Sequence, residues 1–309
     1  SHVGVVSFGL AVTKKGTALD FSGAGVESTN RIGVEVCAYI MDTDLPEANV
    51  AIKASDKSTI TSYGFAGAMA AGWTPVATGQ AFGLSIGASV SKNIIRNDVK
   101  AYFYQEGITI KQNVKNLTVK TVNESNIATT SWAASISPQI ASSSPAASFS
   151  GGGAGAHNYI MGSANAYINK GKYDVSGDLI LSTQNKSVIN AKVAGVSVVY
   201  SGGEGSGGGL SIGAAVAHNI IGWKSADSKD YLTGWRPKDW KSGDEMPYDV
   251  RAYISGADIN ITGKLEQEAV SSQEIYAGVG AGSAAITKSS GLGFVGSGSG
   301  VNNVNRITC

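Results

Sequence analysis

The chain has 309 residues, of which 15% are charged, and its formal net charge is +1. This balance gives no electric field that would draw the chain onto nucleic acid or an anionic membrane. Glycine accounts for 41 residues, about twice its usual share, while the hydrophobic share of 42% is enough to build a core. A chain so rich in small residues is a poor helical bundle, so the composition predicts an all-β protein.

Two further counts exclude other classes of protein. Cys37 and Cys309 are too few for a disulfide framework, and the chain has only three histidines, so we expect no structural zinc site. We also expect no other metal and no cofactor. No run of 18 apolar residues occurs, so no membrane-spanning helix is predicted.

The predicted elements belong to a repeat. The first of them, at residues 3–12, resembles the last strand of a preceding repeat. An Asn-x-Ile motif then recurs with spacings of 63, 65, 61 and 86 residues, and an Ala-Tyr-apolar triplet follows each of its first four copies. Because several motifs recur in the same order, the sequence indicates a repeat of 61–65 residues. The repeated asparagines are Asn30, Asn93, Asn158, Asn219 and Asn305.

Within a repeat, apolar and polar residues alternate with a period of two, which is the pattern of half-buried strands. Residues 99–103, 108–111 and 117–122 show it in the second repeat, and residues 249–254 and 259–262 show it in the fourth. Four short strands do not close a core, but stacked copies do. The sequence therefore predicts an elongated β-solenoid (β-helix) of about four to five stacked repeats. Whether one repeat makes one coil or two stays open.

The repeated asparagines are expected to be structural. Equivalent positions in a solenoid lie ~4.8 Å apart, so an asparagine at a repeated turn can adopt the left-handed region and bond its amide to the next rung. The array is predicted to fill residues 1–309 as a single domain. Neither end shows a polar capping repeat, so we expect a segment of a longer chain.

The fourth repeat contains a 25-residue insertion, an aromatic and charged loop at residues 222–249. A long loop on a regular scaffold is usually functional or disordered, and clustered aromatics argue against disorder. Exposed Trp and Tyr beside charged groups can stack on sugar rings or anchor a protein partner. The alternative is that these side chains cover the flank of the solenoid or join subunits. The candidate binding residues are Trp223, Tyr231, Trp235, Arg236, Trp240 and Tyr248.

The sequence offers few candidate catalytic residues. The carboxylates of the insertion are the only acid and base candidates of a polysaccharide-active enzyme, but five basic residues in the same loop favour ion pairing. His157 and His218 share one position of the repeat, so they are expected to be ladder residues rather than members of a triad. We expect no catalytic residues and no enzymatic activity. The carboxylates are Asp227, Asp230, Asp239, Asp244 and Glu245.

Charge is distributed unevenly along each repeat. Residues 58–91, 125–169, 205–223 and, apart from Arg306, 289–309 contain no Lys, Arg, Asp or Glu. Stacking in register would bring these segments to one uncharged side, a candidate for lateral packing against another fibre or a cell-wall glycan. Inner strands and tight turns of small residues would give the same pattern, so both interpretations stay open.

The motifs at residues 206–221 and 252–254, Ser-Gly-Gly-Gly, Ser-Ile-Gly-Ala-Ala-Val, Asn-Ile-Ile and Ala-Tyr-Ile, carry a resemblance. The chain resembles repeats of very large secreted or surface proteins of bacteria, the filamentous haemagglutinin-like and autotransporter-like adhesins. The resemblance covers nearly the whole chain apart from the insertion, and its motifs are structural. It implies an extracellular or cell-surface fibre or stalk, often adhesive. The aromatics of the insertion make a glycan or protein receptor the expected partner. Alternatives are a filament or sheath subunit that associates laterally or end to end, and a polysaccharide-active β-helix enzyme.

Overall fold

In the computed structural model the described residues are 1–45, 47–75, 79–106, 112–142, 144–222 and 247–308. Nearly all of them lie in β-strands, and this part of the chain contains no helix. The prediction of an all-β fold is therefore confirmed.

The strands form two sheets, and every pairing between strands is parallel. Sheet I has the order β1-β4-β7-β9-β12, with β3 also beside β7. Its strands are β1 (His2–Val12), β3 (Asn49–Asp56), β4 (Thr59–Thr74), β7 (Asn116–Ala141), β9 (Leu179–Gly203) and β12 (Leu265–Ser289). Sheet II has the order β13-β10-β8-β5-β2, with β6 and β11 also beside β8. Its strands are β2 (Thr17–Met41), β5 (Gln80–Tyr104), β6 (Gln112–Val114), β8 (Ala146–Val175), β10 (Gly207–Ile221), β11 (Asp249–Ile261) and β13 (Gly293–Ile307).

Stacked strands are one repeat apart in the chain. In sheet II Asn93 lies beside Asn158, 65 residues further on, and in sheet I Asn123 lies beside Asn185, 62 residues further on. Each repeat therefore adds one layer to each sheet, a point that the sequence had left open. A 25-residue strand is roughly 80 Å long, whereas five layers are roughly 24 Å high. The stack is therefore wider along its strands than it is tall.

The insertion interrupts one long strand without changing its register. β8 is continuous, and β10 and β11 both pair with it. Asn219 lies beside Asn158, 61 residues away, whereas Ala252 lies beside Ala166, so the offset rises from 61 to 86. The extra 25 residues are accommodated between Ile221 and Asp249.

The core between the sheets changes along the strands. Large side chains, among them Phe103, Leu117 and Ile168, fill the end near the Ala-Tyr-apolar triplets. Isoleucines fill the next zone, and alanines and serines fill the far end. A Cβ atom added to Gly152 there would lie within 2.2 Å of the Val196 carbonyl oxygen in the opposite sheet. The two sheets thus approach closely where the core residues are small.

The expected left-handed conformation of the repeated asparagines is wrong. Asn30, Asn93 and Asn158 lie inside strands β2, β5 and β8, and Asn219 and Asn305 lie inside β10 and β13. Among the described non-glycine residues, positive φ occurs at Asp42 and Lys170. Extended parallel strands already place equivalent side chains ~4.8 Å apart, so their amides meet without a turn.

Candidate functional site

The repeated asparagines form a hydrogen-bonded column through the inner side of sheet II. The Nδ2 atom of Asn30 donates to Oδ1 of Asn93 at 2.8 Å, and bonds of 2.9, 2.8 and 2.9 Å continue this pattern to Asn305. Asn93, Asn158 and Asn219 are fully buried. Each of these three amides uses its donor and acceptor on its neighbours, so the column holds the layers in register rather than offering a ligand site.

Sheet I contributes to the same column. Thr129 Oγ1 donates to Oδ1 of Asn158 at 2.6 Å and accepts from Nδ2 of Asn93 at 2.7 Å. Isoleucines such as Ile95, Ile127 and Ile160 pack beside these polar groups. A buried polar column that is fully paired and flanked by apolar side chains allows few alternative registers.

A second column, on the outer side of sheet II, consists of stacked tyrosines. The ring centroids of Tyr39, Tyr102, Tyr167 and Tyr253 follow one another at 5.1, 4.9 and 5.0 Å, and the ring planes differ by no more than 9°. We call this set the tyrosine ladder. In the sequence these tyrosines are the middle residues of the Ala-Tyr-apolar triplets. Only the register of the strands shows that their rings stack on the surface.

The geometry of the tyrosine ladder limits what it can bind. Each inner ring is covered on both faces by its neighbours, so it presents its edge and hydroxyl group to solvent. Sugar recognition uses the flat face of an aromatic ring. An end ring such as Tyr39, which is 54% exposed, is therefore better suited to such a contact than Tyr102 or Tyr167.

Charged side chains flank the tyrosine ladder. Lys100 Nζ lies 3.0 Å from Oε1 of Glu35, and this hydrogen bond lowers the pKa of Glu35 and raises that of Lys100. On the other flank, Lys170 Nζ lies 2.5 Å from Oε1 of Glu106, and this contact lowers the pKa of Glu106. Because both pairs are solvent-exposed, each contributes little to stability.

His157 and His218 pack edge to face in neighbouring layers. Their ring centroids are 4.9 Å apart with the planes at 71°, and they lie beside each other in β8 and β10. Burial, with the charges of His218 and Lys92, lowers the pKa of His157 to about 4. Burial also lowers the pKa of His218. Two packed rings at equivalent positions of neighbouring layers fit a structural role in the repeat.

Most of the candidate binding residues lie outside the described residues. Trp223, Tyr231, Trp235, Arg236 and Trp240 belong to this set, as do the carboxylates Asp227, Asp230, Asp239, Asp244 and Glu245.

Tyr248 occupies a different environment from the exposed one expected of a binding residue. Its side chain is 1% exposed and packs in the isoleucine zone of the core, where its hydroxyl oxygen accepts a hydrogen bond from Nδ2 of Asn123 at 2.5 Å. Burial raises its pKa. The position therefore anchors the end of the insertion to the core and leaves the ring unavailable to a ligand.

Over residues 1–222 and 247–308, excluding the short gaps, no three His, Cys, Asp or Glu side chains are grouped closely enough to hold a metal ion. No helix in the described ranges is long and apolar enough to cross a membrane.

Comparisons with protein-family models, with curated proteins and with solved structures find no match to this chain.

Proposed function

We propose that the chain is a β-solenoid of four to five stacked repeats that serves as a non-enzymatic scaffold in an extracellular or cell-surface fibre. The observation that supports this most directly is the asparagine column, in which residues 61 to 86 positions apart are joined in order. Repetition with strict register is what a mechanical scaffold needs, because every added repeat extends one continuous core.

The proportions of the stack refine the role. One repeat adds only ~4.8 Å of height but a layer roughly 80 Å wide. A stack of these proportions has broad sheet faces but gains little height from each repeat. We therefore propose surface display and attachment, with a glycan or protein receptor as the partner.

The insertion at residues 222–249 is the proposed adhesive element. It leaves the stack at Ile221 and rejoins it at Asp249, on the strand that also carries the ladder residue Tyr253. We propose its three tryptophans as the contact residues, because clustered aromatic side chains on a long loop commonly anchor a ligand or a protein partner.

Small-angle scattering tests the architecture. The width, height and mass of the stack give a radius of gyration of about 25 Å or more, against about 19 Å for a compact domain of this length. A value near the compact one would contradict the proposed solenoid.

Binding measurements test the adhesive role. The Trp223→Ala, Trp235→Ala, Trp240→Ala triple variant should lose binding to a glycan array or to host-cell surfaces while its far-UV circular dichroism stays that of the parent. Tyr276→Ala is the matched control, because this ring is exposed on β12 and lies in the regular repeat. Unchanged binding by the triple variant would reject the role of the insertion, and release of oligosaccharides by the parent would favour the enzyme alternative.

A further inference from the structure

Over part of their length, strands of sheet I place large apolar side chains toward the solvent and small or polar side chains toward the core. From residue 132 to 140, β7 points Trp132, Ile136 and Ile140 to the solvent, while Ser135 and Gln139 face the core. β4 shows the same inversion, with Phe65 and Trp73 outside and alanines inside. A strand that places its largest apolar side chains outward is expected to bury them against something else.

These outward positions meet in one continuous surface. The register aligns residues 4–12, 65–73, 132–140, 194–202 and 280–288 of the five stacked strands. We call their outward side chains the apolar face. The most exposed of its bulky members are between 42 and 75% exposed. They include Val6, Phe8, Leu10, Val12, Phe65, Trp73, Trp132, Ile136, Ile140, Val196 and Ile286.

Charge is confined to one corner of the apolar face. Every second residue of the five aligned segments points outward, and among these positions Lys288, at the end of β12, is the single ionisable Lys, Arg, Asp or Glu. Just outside the face, the next outward row contains Lys192. The face and the row beside it therefore contain one lysine each.

The size of the apolar face matches that of a protein interface. Each outward position of a sheet occupies roughly 30 Å², so five rows across five strands give a footprint of roughly 800 Å². That is about the area that each partner buries in a stable complex, and it exceeds the largest apolar patch of a typical monomer, about 300–600 Å².

We propose that the apolar face is the interface of a homodimer, in which the same face of a second copy packs against it. A sheet face with a single charge at one corner is complementary to itself, and two such sheets pack about 10 Å apart. A contact between identical faces closes as a twofold dimer, the commonest form of soluble oligomer. The proposal does not depend on an adhesive role or on extracellular location.

Light scattering and sedimentation of the full chain test the proposal. The parent should have twice the 31.5 kDa mass of one chain, and Trp132→Lys, Ile136→Lys should convert it to a monomer because lysines would be buried in the contact. Thr118→Lys, Val122→Lys is the matched control, since these two residues also face outward on β7 and lie four residues apart outside the face. The control should remain a dimer.

A milder substitution guards against misfolding of the lysine variant. Ala134→Cys, in a Cys37→Ser, Cys309→Ser background, places a small thiol in the middle of the apolar face. Its alkylation by a polar maleimide should be about tenfold slower in the dimer than after dilution to monomer, whereas a thiol introduced as Val122→Cys should react at the same rate in both states.

Three results would overturn the proposal. The first is a parent that stays monomeric at every concentration. The second is dimerisation lost through Phe149→Lys, on the outer side of sheet II, but kept in the Trp132→Lys, Ile136→Lys variant. The third is alkylation of Ala134→Cys that does not depend on concentration.

Discussion

At the scale of single residues, the asparagine column shows how a polar group can be favourable inside a β core. Asn158 donates to Asn219 and accepts from Asn93 and Thr129. An amide buried without partners would cost free energy, and one buried with all of them fixes the register of its layer.

Removing the central amide should therefore be costly. Asn158→Ala leaves Oδ1 of Asn219 and the hydroxyl of Thr129 without their partner, and we expect the free energy of unfolding to fall by about 2–4 kcal/mol. Denaturant unfolding at neutral pH measures the loss. Asn305→Ala is the matched control, because Asn305 lies exposed at the end of the column. It should cost about 1 kcal/mol or less, and equal losses at the two positions would contradict a buried, cooperative column.

A second residue-scale effect is a dependence of stability on pH. The pKa of His157 is about 4 in the folded chain, below the value of about 6.5 in the unfolded chain. Above pH 6.5 both states hold a neutral ring. As the pH falls from about 6.5 to 4, the unfolded state gains a proton that the folded state does not, so stability is lost, by about 2–3 kcal/mol in total.

His157→Gln should remove this contribution. We expect its unfolding free energy to decrease less than that of the parent between pH 7 and pH 4.5, as measured by denaturant titration at each pH. His2→Gln, at the exposed start of β1, should leave the parent's pH dependence intact. Parallel pH profiles for the parent and the His157 variant would show that this ring does not couple to folding.

At the scale of one strand, β8 shows why glycines on its two sides differ. A Cβ atom on Gly152 would lie within 2.2 Å of a carbonyl oxygen of the opposite sheet, while one on Gly153 would meet nothing within 4 Å. Gly152 therefore allows the two sheets to approach, whereas Gly153 only leaves a surface position without a side chain.

The two positions therefore provide a paired experiment. Gly152→Ala should destabilise the protein by about 1–3 kcal/mol or more, because backbone atoms must move apart. Gly153→Ala should be neutral or stabilising by about 0.5 kcal/mol, because alanine restricts the unfolded chain more than glycine does. Thermal unfolding of both variants measures the difference. A Gly152 variant as stable as the Gly153 variant would contradict the close approach of the sheets.

At the scale of the whole molecule, the stacking register continues across residues 223–246. β10 and β11 pair with the uninterrupted β8 on either side of the insertion, and a Cβ atom on Gly222 would lie 2.9 Å from the Tyr248 nitrogen. The two ends of the interruption are thus already close.

Deletion of residues 223–246 should therefore leave the stack intact. We expect the far-UV circular dichroism per residue and the unfolding midpoint to stay near those of the parent, provided that Tyr248 is retained. A deletion that also removes Tyr248 should be markedly less stable, because it leaves a cavity in the isoleucine zone and removes one of the hydrogen bonds of Asn123. Collapse of the β signal in the shorter deletion would show that the insertion is part of the scaffold.

The sequence by itself determined which residues are equivalent. Motif spacing is a property of the covalent chain, so Asn93 and Asn158, or Tyr102 and Tyr167, can be aligned without coordinates. The alternation of apolar and polar residues likewise predicts strands, because neighbouring side chains of a strand point to opposite sides.

Only the tertiary structure decided which side of each strand is the core. The alternating pattern alone does not tell which side of a strand faces the core. In β7 one side carries serines and the other carries a tryptophan, and the serine side is the buried one. The close approach of the two sheets excludes bulky side chains from the space between them, and so turns Trp132 outward and makes room for Ser135. The distance between the sheets is a relation between segments far apart in the chain, which no local pattern contains.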